Sequence, residues 1–403
     1  MTISENAAIE LARAPLQARM LLALFDKLRL GSLCVTFPEG SQRTYGNGEG
    51  PHATLHIRDW RACGQILRAG DIGLAEAYRD ALVEIADIPA LLLLAMANED
   101  ALSQAFFGSF WGTLAYRLKH FFGNRNTRRG SKKNIHAHYD IGNDFYRLWL
   151  DPTMTYSAAC FSSPDDTLQA AQTAKYERLL ARLDVKAGDH ILEIGCGWGG
   201  FAEHAARTRG VRVTGISLSR EQLDWARRRV KGTPAERLCE FRFQDYRDVS
   251  GQYDAIVSIE MIEAVGEAYW PSYFGQIKHL LKSGGKAGLQ AITIADSRFE
   301  DYRTKTDFIQ QYIFPGGMLL SPGKLRDQAA QARLTIKDEH WFGRDYAETL
   351  RRWRQSFETA LPDIRAQGFD EAFLRIWRFY YTYCEAGFDA GRTDVCQVIL
   401  AND

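Results

Sequence analysis

The sequence predicts an α/β fold: a parallel sheet with helices on both faces, preceded by a small α+β domain. Three observations predict it. From about residue 134, strand-like and helix-like segments alternate, as they do when helices cross over between parallel strands. The run His190-Ile-Leu-Glu-Ile194 leads directly into Gly195-Cys-Gly-Trp-Gly-Gly200 and a helix-like stretch, the signature of a buried strand, a tight turn and a helix start. Before the alternation, short strand and helix patterns mix and then give way to a polar, basic stretch.

The elements follow in order. Leu33-Cys-Val-Thr-Phe37 and Ala53-Thr-Leu-His-Ile57 read as strands, with a turn-rich connection from Pro38 to Pro51. Gly70-Asp-Ile-Gly73 opens a helical segment through Ala86. Pro89 to Ala97 is apolar but far too short to span a bilayer, so it reads as a core helix. Residues 1–123 form the small domain, and the basic stretch 124–133 is a linker. The aromatic segment Ala105 to Tyr116, with Phe121 and Phe122, reads either as a core helix or as an amphipathic element at a lipid surface. In the domain 134–403, strands are expected at 190–194, 211–216, 239–243, 253–259 and 285–294. Helices are expected at 168–183, 200–208, 219–231, 267–282 and 322–332, and residues 345–403 add helices and a final strand, Asp394 to Ile399.

Composition narrows the class. A chain of 403 residues is long enough for two domains with ample core. Lys+Arg and Asp+Glu balance at 50 each, so no global charge draws the chain to nucleic acid. The 7 cysteines include no C-x-x-C pair, which implies reduced thiols in a cytoplasmic protein rather than disulfides or a zinc site. The start, Met1-Thr-Ile-Ser-Glu-Asn6, lacks a secretory pattern.

The glycine turn suits a nucleotide-type ligand, because backbone N–H groups can approach it closely. Gly195, Gly197 and Gly200 also satisfy G-x-G-x-x-G, so a dinucleotide oxidoreductase is an alternative. Glu193, at the strand end, suits a cationic amino group and hence S-adenosylmethionine. A dinucleotide site wants an acid at the end of the next strand, where Ser217-Leu-Ser219 stands instead. Ser217, Leu218 and Gln222 fall where a ribose would lie. Asp245 is placed to accept from an adenine amino group and Tyr246 to pack on the ring; a polar loop is the plainer reading. Glu260 and Glu263, at helical i, i+3 spacing after the fourth strand, can form a close pair with one raised pKa, or a solvated pair. His136 and His138 lack metal-ligand spacing, so no metal is expected. Trp149, Tyr156, Phe161, Phe308, Tyr312, Phe314, Trp341, Phe342 and Tyr346 are core residues or the lining of an acyl tunnel, where π faces can stabilise a cation.

With these residues the chain resembles the cyclopropane fatty acid synthase family of S-adenosylmethionine-dependent methyltransferases. The matching motifs are His138-Tyr-Asp140, Gly142-Asn-Asp144, Asp151-Pro152, Met154-Thr-Tyr-Ser157 and Glu193-Ile-Gly-Cys-Gly-Trp-Gly199. Gln244-Asp-Tyr246, Glu263 with Val265-Gly266, Tyr312-Ile-Phe-Pro-Gly-Gly317 and Asp345-Tyr346 follow in the family's order. The resemblance implies a Rossmann-like class I methyltransferase sheet with a helical cap, and Tyr156 and Ser157 at the cofactor. It implies unsaturated phospholipid acyl chains as substrates, met at the inner face of the membrane, often by a homodimer. It also implies methyl transfer to an alkene, a carbocation, and proton loss to bicarbonate held at a Cys, a Glu, a His, an Ile and a Tyr position. Here Glu263, Ile292 and Tyr346 match, while Ala158 replaces the Cys and Gln290 the His. Ala264 replaces a further His, and Glu260 a Gly. A neutral amide binds an anion less well than an imidazolium, and Glu260 adds negative charge. These departures lead to the expectation that Glu263 or Glu260 takes the proton in place of bicarbonate. A cyclopropane and a methylene- or methyl-branched chain both stay open as products, and a methyltransferase of non-lipid small molecules is the alternative reading.

Overall fold

The structure, a computed structural model, describes residues 13–100, 102 and 141–403. The aromatic segment 105–116, Phe121, Phe122, the linker 124–133, His136 and His138 lie outside the described residues. The chain divides into two compact units. One comprises Met1–Gly123, Lys305–Ile313 and Arg365–Ala390; the other comprises Asn124–Thr304, Phe314–Ile364 and Gly391–Asp403. A single continuous domain from 134 to 403 is therefore not what forms: two later segments fold with the N-terminal strands.

The first unit holds a four-stranded sheet, β2-β1-β3-β4, made of β1 (Ser32–Thr36), β2 (Gln42–Gly46), β3 (His52–Ile57) and β4 (Val83–Glu84). β1 runs antiparallel to β2 and parallel to β3. Alternation drives the strands: Leu33 and Val35, then Ala53, Leu55 and Ile57, point to the buried face. β2 occupies part of the expected turn region; of its five residues only Tyr45 is buried, so its apolar signal is weak. The helix expected through Ala86 stops at Arg79, because Ala81 turns left-handed (φ 56) before β4. The inserted segments are tied to the start of helix Asp71–Arg79: Asp71 accepts hydrogen bonds from Tyr383 Oη at 2.8 Å and from the Phe308 N–H at 3.2 Å.

The second unit is a seven-stranded sheet of order β10-β11-β9-β8-β5-β6-β7. Its strands are β5 (His190–Ile194), β6 (Arg212–Ser217), β7 (Cys239–Phe243), β8 (Tyr253–Ile259), β9 (Leu281–Ile294), β10 (Thr335–Trp341) and β11 (Thr393–Ala401). β5 to β9 pair in parallel, and β11 is antiparallel to β9 and β10. β5 is central and buried from Ile191 to Ile194, as an apolar strand covered on both faces must be. Leu192, Ile194 and Ile256 pack with Phe274 and Ile277 on one face; Ile191, Val213 and Val257 pack with Leu179 and Phe201 on the other. β5 is followed by β6 on one side, and β8 lies on the other, so a crevice opens at their carboxyl ends.

Candidate active site

That crevice is a cavity of about 170 Å³ lined from the ends of β5, β6, β7 and β8 and from the segment 154–157. All ten residues expected at the cofactor line it: Tyr156, Ser157, Glu193, Gly195, Gly197, Ser217, Leu218, Gln222, Asp245 and Tyr246. The glycine turn is built as its sequence demands. Gly195 has φ +85, and a Cβ there would come within 2.8 Å of Met261 Cγ. Gly199, at φ +78, would meet the Ala226 Cβ at 2.8 Å. Glu193 is 3% exposed, and its Oε2 has no hydrogen-bond partner among the described residues. Burial alone pushes its pKa well above the ordinary carboxylate value. An orphaned buried carboxyl beside a glycine-lined turn fits a ligand carrying a cationic amino group, as S-adenosylmethionine does.

The other cofactor candidates are already partly engaged. Ser217 Oγ donates to Gln222 Oε1 at 3.0 Å. Both carboxylate oxygens of Asp245 accept from the Arg247 side chain, at 2.8 and 2.6 Å, which leaves only the remaining lone pairs for a ligand. The Tyr246 ring meets Tyr273 edge-on at 5.4 Å.

Aromatic rings gather around Tyr156, with Trp353 at 5.2 Å, Trp149 at 5.4 Å, Tyr146 at 5.5 Å and Phe314 at 6.2 Å between centroids. Phe308 and Tyr312, expected with these rings, pack elsewhere. They belong to the first unit, where Phe308 packs on Phe379 at 4.8 Å and Tyr312 donates to Glu76 at 2.6 Å.

Of the six residues expected around the proton acceptor, only Glu260 lines the cavity. It follows β8 at φ +48, a left-handed conformation that costs a non-glycine residue about 1–2 kcal/mol. Its backbone N–H donates to the Gln290 carbonyl at 2.8 Å, which pins the turn to β9. Its carboxylate receives three donors: the Ala158 N–H at 2.8 Å, Gln290 Nε2 at 2.8 Å and Tyr346 Oη at 2.7 Å. Glu263 Oε1 accepts from the Ile292 N–H at 2.5 Å, and its Oε2 is buried without a partner among the described residues. Burial raises the pKa of Glu260; Lys175, then Tyr346, Ala158 and Gln290 oppose that rise. Burial and the neighbouring Glu260 push Glu263 to about 8. Near neutral pH Glu263 thus holds a proton, while the three donors on Glu260 favour its charged form.

Bicarbonate does not fit this arrangement. The N–H groups of Ala158 and Ile292, the Gln290 amide and the Tyr346 hydroxyl all donate to the chain's own carboxylates. A further anion would find its donors taken and a carboxylate in their midst.

The residue reading missed Lys175, Arg178 and Gln397. Lys175 is 0% exposed and donates to Ser157 Oγ at 2.6 Å; burial lowers its pKa to about 7. A signal was present, because Lys175 sits four residues from Ala171 and from Leu179, on the buried stripe of helix Leu168–Leu183.

A glycine turn after the first strand of this sheet, with an unpaired acid at the strand end, defines a class I S-adenosylmethionine-dependent methyltransferase. The model of the family "Mycolic acid cyclopropane synthetase" matches residues 126–398, and the chain belongs to that family. It is 43% identical over 286 residues to the tuberculostearic acid methyltransferase UfaA1 of Mycobacterium tuberculosis, spanning 69% of this chain and 67% of that one. It is 33% identical over 366 residues to the cyclopropane-fatty-acyl-phospholipid synthase of Escherichia coli K12, spanning 88% and 89%. Among solved structures it is similar to the cyclopropane synthase MmaA2 from Mycobacterium tuberculosis, with 30% identity and a TM-score of 0.63 over 67% of this chain and 98% of that one. The mycolic acid cyclopropane synthase CmaA1, solved with SAH and CTAB, matches with the same values.

Proposed function

We propose that the enzyme methylates the double bond of an unsaturated phospholipid acyl chain, and that Glu260 takes the proton released, giving a methylene-branched or methyl-branched alkene rather than a ring. One observation carries the reading: each donor that the family resemblance allots to bicarbonate is bound to Glu260 or Glu263.

Bound S-adenosylmethionine supplies an electrophilic methyl group. Glu193 would hold its ammonium group, Ser217 and Gln222 its ribose, and Asp245 and Tyr246 its adenine. Tyr156 and Ser157 border the reacting end, where the aromatic cluster offers π faces to a cation and excludes water. A methylated alkene carries its positive charge on the carbon next to the one methylated. A hydride shift from the methyl-bearing carbon moves the charge beside the new methyl. Proton loss from that methyl then leaves a methylene branch, with the C–H electron pair becoming the double bond. Glu260 is suited to accept this proton: it lines the cavity, its three donors favour the charged form, and its neighbour Glu263 is protonated.

The test is a labelled lipid profile from a bacterium lacking such activity, supplied with methyl-labelled methionine and expressing the enzyme. Acyl chains should gain one carbon and two hydrogens and then take up hydrogen under mild catalytic reduction. A labelled product that resists reduction is a cyclopropane and overturns the reading.

A further inference from the structure

Glu260 is the end of a hydrogen-bond chain that proton transfer itself does not use. Its Oε1 accepts from Gln290 Nε2 at 2.8 Å, and Gln290 Oε1 accepts from Gln397 Nε2 at 3.0 Å. Gln397 Oε1 in turn accepts from the Arg178 guanidinium at 3.1 Å. Arg178 is ion-paired with Asp338. Gln290 and Gln397 are 1% and 0% exposed and stand opposite each other across β9 and β11.

An amide alone has two orientations, since its oxygen and nitrogen have nearly the same shape. This chain permits one. Arg178 can only donate, so Gln397 must turn its oxygen toward it. The Gln397 N–H groups then reach Gln290 Oε1 and the Lys175 carbonyl, the latter at 3.1 Å. With its oxygen so occupied, Gln290 presents its N–H groups to Glu260 and to the Ala158 carbonyl, the latter at 3.3 Å. At the far end the ionised carboxylate can only accept. Reversing the chain would set an amide oxygen against Glu260 and an amide N–H against Arg178.

We infer that Gln397 is a positioning residue: it fixes Gln290 with its N–H on Glu260, and so keeps Glu260 an ionised proton acceptor. The inference rests on the reading of Glu260 as the acceptor. The other charged or titratable groups that face Glu260 are Lys175 from helix Leu168–Leu183, Tyr346 from helix Gly343–Thr359 and Glu263 from its own turn. None of the three side chains is bonded to Gln397, whose contact with Lys175 is to its carbonyl.

The experiment measures methyl transfer to unsaturated phospholipid vesicles across pH for the full chain and for Gln397→Leu, Gln397→Glu, Gln290→Leu, the Gln290→Leu/Gln397→Leu pair and Glu260→Gln. Gln397→Leu removes the donor without adding charge. Gln397→Glu keeps a partner for Arg178 and still lacks the N–H, so it serves if the leucine variant fails to fold. Losing the Gln290 donor raises the pKa of Glu260, so the acid limb of kcat should move to higher pH by about one unit. At a fixed pH on that acid limb, below both pKa values, kcat should fall about tenfold, with KM for S-adenosylmethionine within about twofold. In the Gln290→Leu background, Gln397→Leu should cost nothing further, whereas a general packing role would cost the same factor again. An unmoved acid limb, or additive losses, overturns the inference. If Glu260→Gln is inactive while the limb of the Gln397 variants is unmoved, only the positioning role falls. If Glu260→Gln turns over normally, the acceptor reading falls and takes the inference with it.

Discussion

Replacing Glu260 by Gln changes the chemistry of one buried group and almost none of its shape. The carboxylate now serves three donors, from Ala158, Gln290 and Tyr346. An amide offers one oxygen and must turn its NH2 toward at least one of them. Turned toward the Tyr346 hydroxyl, which can accept as well as donate, the NH2 keeps a partner, and exchanging a charged acceptor for a neutral one costs about 1–2 kcal/mol of stability. The left-handed backbone at 260 is unchanged, so no strain is released. At roughly 2–4 °C per kcal/mol for a unit of this size, Tm should fall by several degrees and the fold should persist. The catalytic loss is of another order. A positioned base contributes about 10²–10⁴-fold, equivalent to about 3–5 kcal/mol of barrier. The assay is transfer of labelled methyl from S-adenosylmethionine to vesicle lipid, with binding of the methyl donor followed by calorimetry. The expected result is a kcat lower by about a hundredfold or more with donor affinity kept within about threefold. Turnover within about threefold of the parent enzyme would refute Glu260 as the acceptor.

Further predictions concern the rest of the site and the first unit. Glu193→Gln should weaken S-adenosylmethionine binding by about tenfold or more while leaving Tm equal or higher, because an unpaired buried carboxyl is removed; calorimetry and thermal unfolding check both. Burial pushes Asp71 to about 6, and burial with the neighbouring Asp71 pushes Asp307 to about 7. The folded chain thus binds protons more tightly than the unfolded one, so stability should fall as pH rises from the ordinary Asp value of 3.8 through about 7. Asp307→Asn should flatten that fall in a Tm series across pH. The pair Glu260→Gly/Gln290→His should free the Ala158 and Tyr346 donors, relieve the left-handed strain and supply a cationic partner, so that turnover becomes dependent on added bicarbonate.

β5 and β8 were legible because burial on both faces leaves a nearly continuous apolar run, and the edge strand β7 because Cys239, Phe241 and Phe243 alternate with Glu240 and Arg242; all three form over the residues their sequences predict. β10 was not. Its Thr-Ile-Lys-Asp-Glu-His-Trp run is an edge strand with no fully buried residue, and its charges hide the alternation. The helix expected from 267 begins at Trp270, because Pro271 favours a first-turn position and the residues before it form a short 3₁₀ turn. Segment Arg365–Ala390 could not be assigned to the first unit from sequence, since its amphipathic helix fits any apolar partner. At the site, the glycines and Glu193 carried their own meaning. Lys175, Arg178 and Gln397 did not, because each gains its role from a partner more than 15 residues away: Ser157, Gln397 and Gln290. The substitutions at 158, 260 and 290 pointed to a changed proton acceptor, but only the geometry joins all three in one hydrogen-bonded group.

The most direct test of the central claim is turnover of the purified enzyme in buffer stripped of carbon dioxide, compared with the same assay after bicarbonate is added. A carboxylate that already holds the donors leaves nothing for bicarbonate to do, so the two rates should be equal. A rate that collapses without bicarbonate and recovers with it would contradict the account.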